Sequence, residues 1–338
     1  MKHVVVTARS QCGLEEIDDP QVAENYARIK ILSAPLCTEF HQFLNGDTGP
    51  LGGHEAAGEV VDIGPRVNMV KPGDRVVVMP QSGCGICALC TSGDHIYCQN
   101  KKDPKAICGN QTGTATYAQY CVQQDWLLVP IPDDLSYDHA SMACCGMGPG
   151  FNAMQTMQVM PTDTVLISGL GPVGLGTAAI ALYRGARVLG LEMNTYRIAL
   201  AREMGVEAVI DPTSDSALEE IMDLTDARGV AKSVECSSVE TAPDFLVKAA
   251  ARRGQIASPG WGGPMNAREI NAKGLTVHGC WHWNHQRDTE SMMATIRGAK
   301  SLLDKTITHT FPFSKAQEAL EIRASNQCGK IVLHPWEE

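Results

Sequence analysis

The sequence predicts a two-domain α/β protein, one domain β-rich and the other a doubly wound parallel sheet, and three observations carry that prediction. The chain has 338 residues, 44% of them hydrophobic and 20% charged, which is too long for one core of ordinary size. Residues 1 to about 135 break into short apolar runs separated by Gly, Pro and Asp. From Thr164 onward, apolar runs alternate with helix-length segments, the rhythm of parallel strands joined by crossover helices.

In chain order, the short strands of the first region are His3–Ala8, Ala27–Ser33, Ala57–Ile63, Asp74–Met79 and Tyr117–Val122, with turns such as Lys71-Pro72-Gly73-Asp74 between them. The second region reads as a strand at Val165–Ser168, a helix to Arg184, a strand over 186–192, a helix over 195–205 and a strand over 206–211. It continues with a helix near 216–227, a strand over 232–237, a helix near 243–253 and a strand over 255–260. After about Asp288 come a helix (291–303), a strand (307–311), a helix started by Ser314 and a closing strand, Lys330–Leu333. The boundaries fall near 150 and 288, so the second domain is an insertion (151–287) and residues 288–338 complete the first.

Composition narrows the function. The net charge is 28 − 38 = −10 with no block of Lys or Arg, so nucleic acid and anionic membranes are not expected partners. No apolar run reaches the ~18–20 residues of a membrane span, and the N-terminus opens on a strand pattern rather than a signal peptide. Thirteen cysteines then point to a reducing cytoplasm and to metal or catalytic use, not to a disulfide framework.

The strand at Val165–Ser168 runs into Gly169-Leu170-Gly171-Pro172-Val173-Gly174. In this G-x-G-x-x-G spacing the first Gly permits the turn, the second lets backbone approach a pyrophosphate, and the third lets helix and strand pack closely. The next strand ends in Glu192, placed to accept from ribose hydroxyls and to repel a 2′-phosphate, which favours NAD. Arg197 nearby is either a partner for a 2′-phosphate, or a solvated helix residue or cover for the adenine face.

Cys84, Cys87, Cys90 and Cys98 lie in one Gly-rich loop, 83–99, with C-x2-C-x2-C-x7-C spacing. Four thiolates so close suit a closed, structural zinc site. An iron–sulfur cluster also takes four cysteines, but a single compact loop fits one ion better. Three further pieces are scattered: Cys37, His54-Glu55, and Cys144-Cys145 before Gly146.

Taken together, the Gly53-His54-Glu55 segment, the four-cysteine loop, the stretch over 129–136, the dinucleotide loop and the closing 329–335 make the chain resemble the zinc-dependent medium-chain dehydrogenase/reductase family, which includes alcohol, sorbitol and threonine dehydrogenases. The resemblance implies a GroES-like catalytic domain and a Rossmann domain. It implies Cys37, His54 and Cys145 as ligands of a second, catalytic zinc, Cys145 rather than Cys144 because the family's third ligand lies five residues before the Gly of the crossing helix, here Gly150. It further implies Glu55 as an acidic neighbour of that metal and a homo-oligomer, dimer or tetramer. Two zinc ions per chain and NAD are the expected cofactors.

The sequence departs from the family just after Cys37, where a hydroxyl residue usually stands at +2 and often a His at +5. Here Glu39 occupies +2 and His41 falls at +4. Zinc lowers the pKa of bound water from 15.7 to about 7, roughly 12 kcal/mol at ~1.4 kcal/mol per unit, so a relay adds a smaller factor. The expected proton acceptor is Glu39, with Thr38 or His41 passing the proton outward; the alternative is a structural carboxylate paired with an Arg or His. A second unusual stretch, Gly279-Cys280-Trp281-His282-Trp283-Asn284-His285, is either a wall of the substrate cleft, through Trp281, His282 and Trp283, or an edge strand in an oligomer interface. Trp261 is a candidate for the same cleft. His3, His95, His139 and His309 read as structural or solvated. The expected reaction is oxidation of a polyol, sugar or cyclitol hydroxyl to a carbonyl. A simple alcohol, an L-threonine-type substrate, or non-redox zinc chemistry with retained NAD are the alternatives.

Overall fold

The computed structural model describes residues 1–337. The chain divides into two compact units, Met1–Gly146 with Asn284–Arg297 and Ile307–Glu338, and Met147–Trp283 with Gly298–Thr306.

The spine of the first unit is strand Tyr26–Pro35, in which the period of two places Ala27, Ile29 and Ile31 fully inside. It pairs antiparallel with Ala56–Ile63, Ser33 opposite Ala57, and with Tyr120–Gln124. Strand Lys330–His334 joins its other edge, with Val332 opposite Pro35, and Ile307–Pro312 lies parallel beyond that. Arg75–Val78 and Leu128–Pro130 complete the seven-stranded sheet. These registers bring the end of Tyr26–Pro35, the start of Ala56–Ile63 and the start of Lys330–His334 to one place. A smaller sheet holds Gln11–Glu16, Lys2–Ala8 and Gly49–Pro50.

The second unit is a six-stranded sheet in which every pairing is parallel. Numbering its strands along the chain as Thr164–Ser168, Arg187–Leu191, Ala208–Ile210, Val230–Glu235, Ala250–Ser258 and Thr276–Gly279, the order is 3-2-1-4-5-6. Strand order reverses between the first and fourth, where Ser168 lies opposite Glu235, and ligands bind such sheets at that crevice beyond the strand ends. Helices Gly148–Thr156 and Pro172–Tyr183 pack closely because Gly150 has no side chain. A Cβ there would stand 2.2 Å from Thr177 Oγ1.

Three local expectations change. Residues 250–253, read as the end of a helix, are strand. Ala250 already pairs with Val230, and the chain then bulges at Arg253, whose φ is +64°. The helix expected over 291–303 starts at His285, runs to Gly298 and is followed by a separate helix, Lys300–Thr306. The short edge strand Thr276–Gly279 carried no sequence signal; Thr276, Val277 and Gly279 are exposed. No helix among the described residues is long and apolar enough to cross a membrane.

Candidate functional site

The strand ends that meet in the first unit deliver its reactive side chains. Cys37 follows Tyr26–Pro35, and His54 and Glu55 precede Ala56–Ile63. Cys145 comes from the turn after helix Tyr137–Ser141. One donor atom from each of Cys37, His54, Glu55 and Cys145 lies within 4.8 Å of the others, and His54 Nε2 is 3.0 Å from Cys145 Sγ. Gly53 enters this turn at φ +68°, where a Cβ would meet Thr116 Oγ1 at 2.6 Å and the Tyr117 ring at 2.9 Å. Any side chain at 53 would therefore displace His54.

The thiols and the imidazole of the cluster shift one another. A hydrogen bond with Cys145 holds the Cys37 thiol well below its ordinary value, burial opposes this, and the charges of Lys330 and His54 add to the lowering. Burial pulls the His54 imidazolium down, yet its hydrogen bonds to Cys37 and Glu39 outweigh that and lift it to about 11. The same hydrogen bond, with burial, pushes the Cys145 thiol up. Two thiols and an imidazole gathered this closely are the donor set of an open zinc site. The set therefore fits the implied metal.

Glu55 and Lys330 are both fully buried, with Nζ 2.5 Å from Oε1. The other carboxylate oxygen accepts from Gly146 N–H at 3.2 Å. Burial pushes the Glu55 carboxyl up to about 8 although Lys330 draws it down. Burial lowers Lys330, but Glu55 and Cys37 reverse this and raise it overall. The two shifts favour opposite charge states of one contact. At 2.5 Å between fully buried groups, beside a cluster built for a cation, we take the contact as an ion pair.

The carboxylate of Glu39 is placed behind the cluster. One oxygen hydrogen-bonds His54 Nδ1, and the other is 3.0 Å from the Tyr117 hydroxyl, which in turn accepts from Cys37 N–H at 3.1 Å. This is the arrangement by which a carboxylate fixes the tautomer and ring orientation of a metal-binding histidine. Thr38 and His41 are exposed, and among the described residues no hydrogen bond joins their side chains to His54 or Glu39.

The second group, Cys84, Cys87, Cys90 and Cys98, also has its sulfurs within 4.8 Å of one another. The pairs Cys84–Cys90 and Cys87–Cys98 are 3.9 Å apart, close to the ~3.8 Å edge of a tetrahedron with ~2.3 Å zinc–sulfur arms. Backbone amides donate to sulfur, from Cys84 and Asn100 to Cys98 at 3.3 and 3.4 Å. Amides of Ile86 and Cys87 push the Cys84 thiol down to about 6. These thiols fit a closed zinc site. Among the described residues no disulfide joins any of the thirteen cysteines.

In the second unit the dinucleotide loop opens helix Pro172–Tyr183. Gly169 sits at φ +83° against Ser237, and a Cβ on Gly174 would fall 1.9 Å from Gly169 O. Above Gly171, by contrast, the nearest atoms to such a Cβ are those of the Arg197 guanidinium at 3.8 and 3.9 Å. Gly171 caps the helix with no side-chain hydrogen bond, so amides there are left for an anion. Leu170 N–H donates to Glu192 Oε2 at 3.0 Å. The other Glu192 oxygen accepts from Met193 and Asn194 N–H at 2.9 and 3.0 Å. Arg197 stands 3.9 Å from Glu192. The loop thus fits a pyrophosphate, with a carboxylate held beside it.

Sequence reasoning missed Glu235, fully buried at the switch point. Its Oε1 accepts from Ser237 N–H and Oγ and from Ser238 N–H at 2.6–2.9 Å. It thereby fixes the turn against which Gly169 packs and holds Ser238 at φ +58°. The available signal was an acidic residue ending the fourth strand.

The Trp/His stretch divides. Trp281 is 40% exposed and meets Trp261, 76% exposed, edge-on at 5.4 Å. His282 is buried, and its carbonyl accepts from Asn152 at 2.9 Å. Trp283 is core, packed edge-on against Phe151. Asn284 and His285 belong to the first unit. There Asn284 donates to Ser92 O at 2.6 Å, and His285 stacks on His95 while its Nε2 donates to Trp126 O at 2.8 Å. His3 and His139 are also buried.

Comparison with known proteins agrees with this geometry. The family described as "Alcohol dehydrogenase GroES-like domain" matches residues 23–133, and "Zinc-binding dehydrogenase" matches residues 172–297. The chain is 30% identical to L-threonine 3-dehydrogenase of Pyrococcus horikoshii over 94% of each protein. It is 27% identical to sorbitol dehydrogenase of Bacillus subtilis over 99% of this chain and 97% of that one. Alcohol dehydrogenase TADH from Thermus sp. ATN1 shares the fold, with a TM-score of 0.85 at 20% identity over 99% of each chain.

Proposed function

Since the chain belongs to the zinc-dependent medium-chain dehydrogenase family and is an oxidoreductase acting on alcohol groups, we propose that it oxidises a hydroxyl of a polyol, sugar or cyclitol to a carbonyl, with NAD as hydride acceptor. The observation that carries this reading is the open donor set of Cys37, His54 and Cys145 in a chain that also holds a Gly171 phosphate loop.

When bound, zinc supplies a Lewis acid that favours ionisation of the substrate hydroxyl. The chain's own residues do the rest. Cys37, His54 and Cys145 hold the metal. Glu39 keeps the proton of His54 on Nδ1, which leaves Nε2 as the nitrogen that would hold the metal, and Tyr117 fixes Glu39. Both Glu39 oxygens are engaged, so we assign it to orienting the ligand rather than to accepting the substrate proton. The exposed Thr38 and His41 beside Cys37 are proposed to pass that proton to solvent. Glu55, held by Lys330 and Gly146, places a negative charge beside the Cys37, His54 and Cys145 donors.

For the cofactor, Gly171 gives the pyrophosphate close access to the helix N-terminus. Glu192, pinned by three backbone amides, presents a carboxylate that repels a 2′-phosphate. The test is an NADH absorbance screen of the zinc-loaded protein over polyols, sugars, cyclitols, simple alcohols and amino alcohols, run with NAD and with NADP. Reduction with a hydroxylated substrate and at least a tenfold preference for NAD, ~1.4 kcal/mol, is expected. Substrate turnover with no net NADH would replace this reading by non-redox chemistry.

We also propose a homo-oligomer. Its support is the exposed outer edge of strand Thr276–Gly279, with Val277, Trp261 and Trp281 uncovered, a surface of the kind that pairs with another strand. Sedimentation should give a dimer or tetramer; a monomer at micromolar concentration would end the proposal.

A further inference from the structure

Beside His54, within the first unit, lies a cavity of about 80 Å³ whose lining includes Pro80, Gln81, Ser82, Thr114 and Thr116. That is room for a few waters or one hydroxyl-bearing carbon. Its back wall is rigid: Gln123 Nε2 donates to the carbonyls of Met79 and Gln81 at 3.0 and 3.1 Å, and its Oε1 accepts from Gln124 N–H at 2.9 Å.

Of the hydroxyl residues in this lining, Thr116 is the buried one. It is 1% exposed, and its Oγ1 has no hydrogen-bond partner. Its backbone is fixed, with N–H donating to Gly52 O at 2.9 Å. The neighbouring Gly53 leaves the hydroxyl uncovered, since any Cβ there would lie 2.6 Å from Oγ1. A buried hydroxyl without a partner costs about 1–3 kcal/mol, which a group entering the cavity would relieve.

We propose that this recess receives a second hydroxyl of the substrate, close to the one oxidised, with Thr116 Oγ1 as its partner. The inference rests on the dehydrogenase reading above and selects among its substrates. Hydroxyl and amide groups line the recess and no carboxylate does. A substrate ammonium would be buried there without a counter-charge, so diols and polyols are favoured over amino alcohols. A monoalcohol would leave the Thr116 hydroxyl unsatisfied.

The experiment compares kcat/KM for an oxidised polyol and its analogue lacking the neighbouring hydroxyl, beginning with 2,3-butanediol against 2-butanol. The zinc-loaded protein should favour the diol at least tenfold, the worth of one hydrogen bond of ~1.4 kcal/mol. Thr116→Val should collapse that ratio towards one, while Thr116→Ser, which keeps the hydroxyl, retains it. Equal kcat/KM for the two alcohols in the unaltered protein would overturn the inference and needs no variant to fold. So would a ratio that survives in Thr116→Val, which would mean that the second hydroxyl is recognised by a group other than Thr116. Both outcomes leave the dehydrogenase reading intact. If no alcohol reduces the cofactor, that reading fails and this inference fails with it.

Discussion

Cys145→Ala is expected to lower turnover by more than about 10³-fold, since even a single preorganised electrostatic donor can be worth that much and here the whole reactive metal is at stake. Zinc content should fall from about two ions per chain to about one, because Cys84, Cys87, Cys90 and Cys98 form a separate group. Removing Cys145 leaves one thiol and one imidazole, too few to hold an ion in an open site. The fold should survive, since Cys145 lies in a turn and its neighbour Cys144 is fully buried and donates to Val78 O at 3.3 Å. Metal analysis beside the rate is the check. A variant that keeps both zinc ions and its full rate would refute the assignment of this cluster.

Lys330→Met is expected to give the largest loss of stability. Lys330 and Glu55 are each 0% exposed at the side chain, so removing the ammonium leaves a buried carboxylate with only the Gly146 N–H on its other oxygen. Breaking a buried pair in this way costs about 3–5 kcal/mol, a fall in Tm of roughly 6–20 °C for a domain of this size. Adding Glu55→Gln should recover much of that loss, because a neutral amide no longer needs the lysine. Thermal unfolding of the two variants beside the parent measures it. A Lys330→Met protein within about 1 kcal/mol of the parent would mean that the pair is replaceable by its surroundings.

Much of the architecture was legible because it is written in local periodicity. The strand–helix alternation after Thr164 and the Gly169–Gly174 spacing need no knowledge of distant residues, and neither does the spacing of Cys84 to Cys98. Elements went astray where tertiary pairing decided the outcome. Ala250 joins the sheet by pairing with Val230, although the residues around it read as helix. The site divides in the same way. Cys37, His54 and Cys145 came from family resemblance, and their meeting follows from the sheet register. The partner of Glu55 is 275 residues away, and no spacing rule reaches that far. The place of Glu39 depended on which side of His54 its carboxylate approaches, and position +2 alone leaves that open. Thr116 and Glu235 are an ordinary Thr and Glu until burial shows one hydroxyl without a partner and one carboxylate gripping a turn.

The return of Gly298–Thr306 to the second unit bears on how the protein could be taken apart. In helix Lys300–Thr306, Lys305 donates to Glu203 O at 2.7 Å, and Leu303 and Thr306 are fully buried. A gene fragment spanning 147–283 would therefore encode every strand of the nucleotide sheet and still lack a piece of its packing. The unit is modular in shape but not in reading frame. Grafting it onto another protein, or expressing it alone, would require splicing in the later helix or permuting the chain so that it comes along.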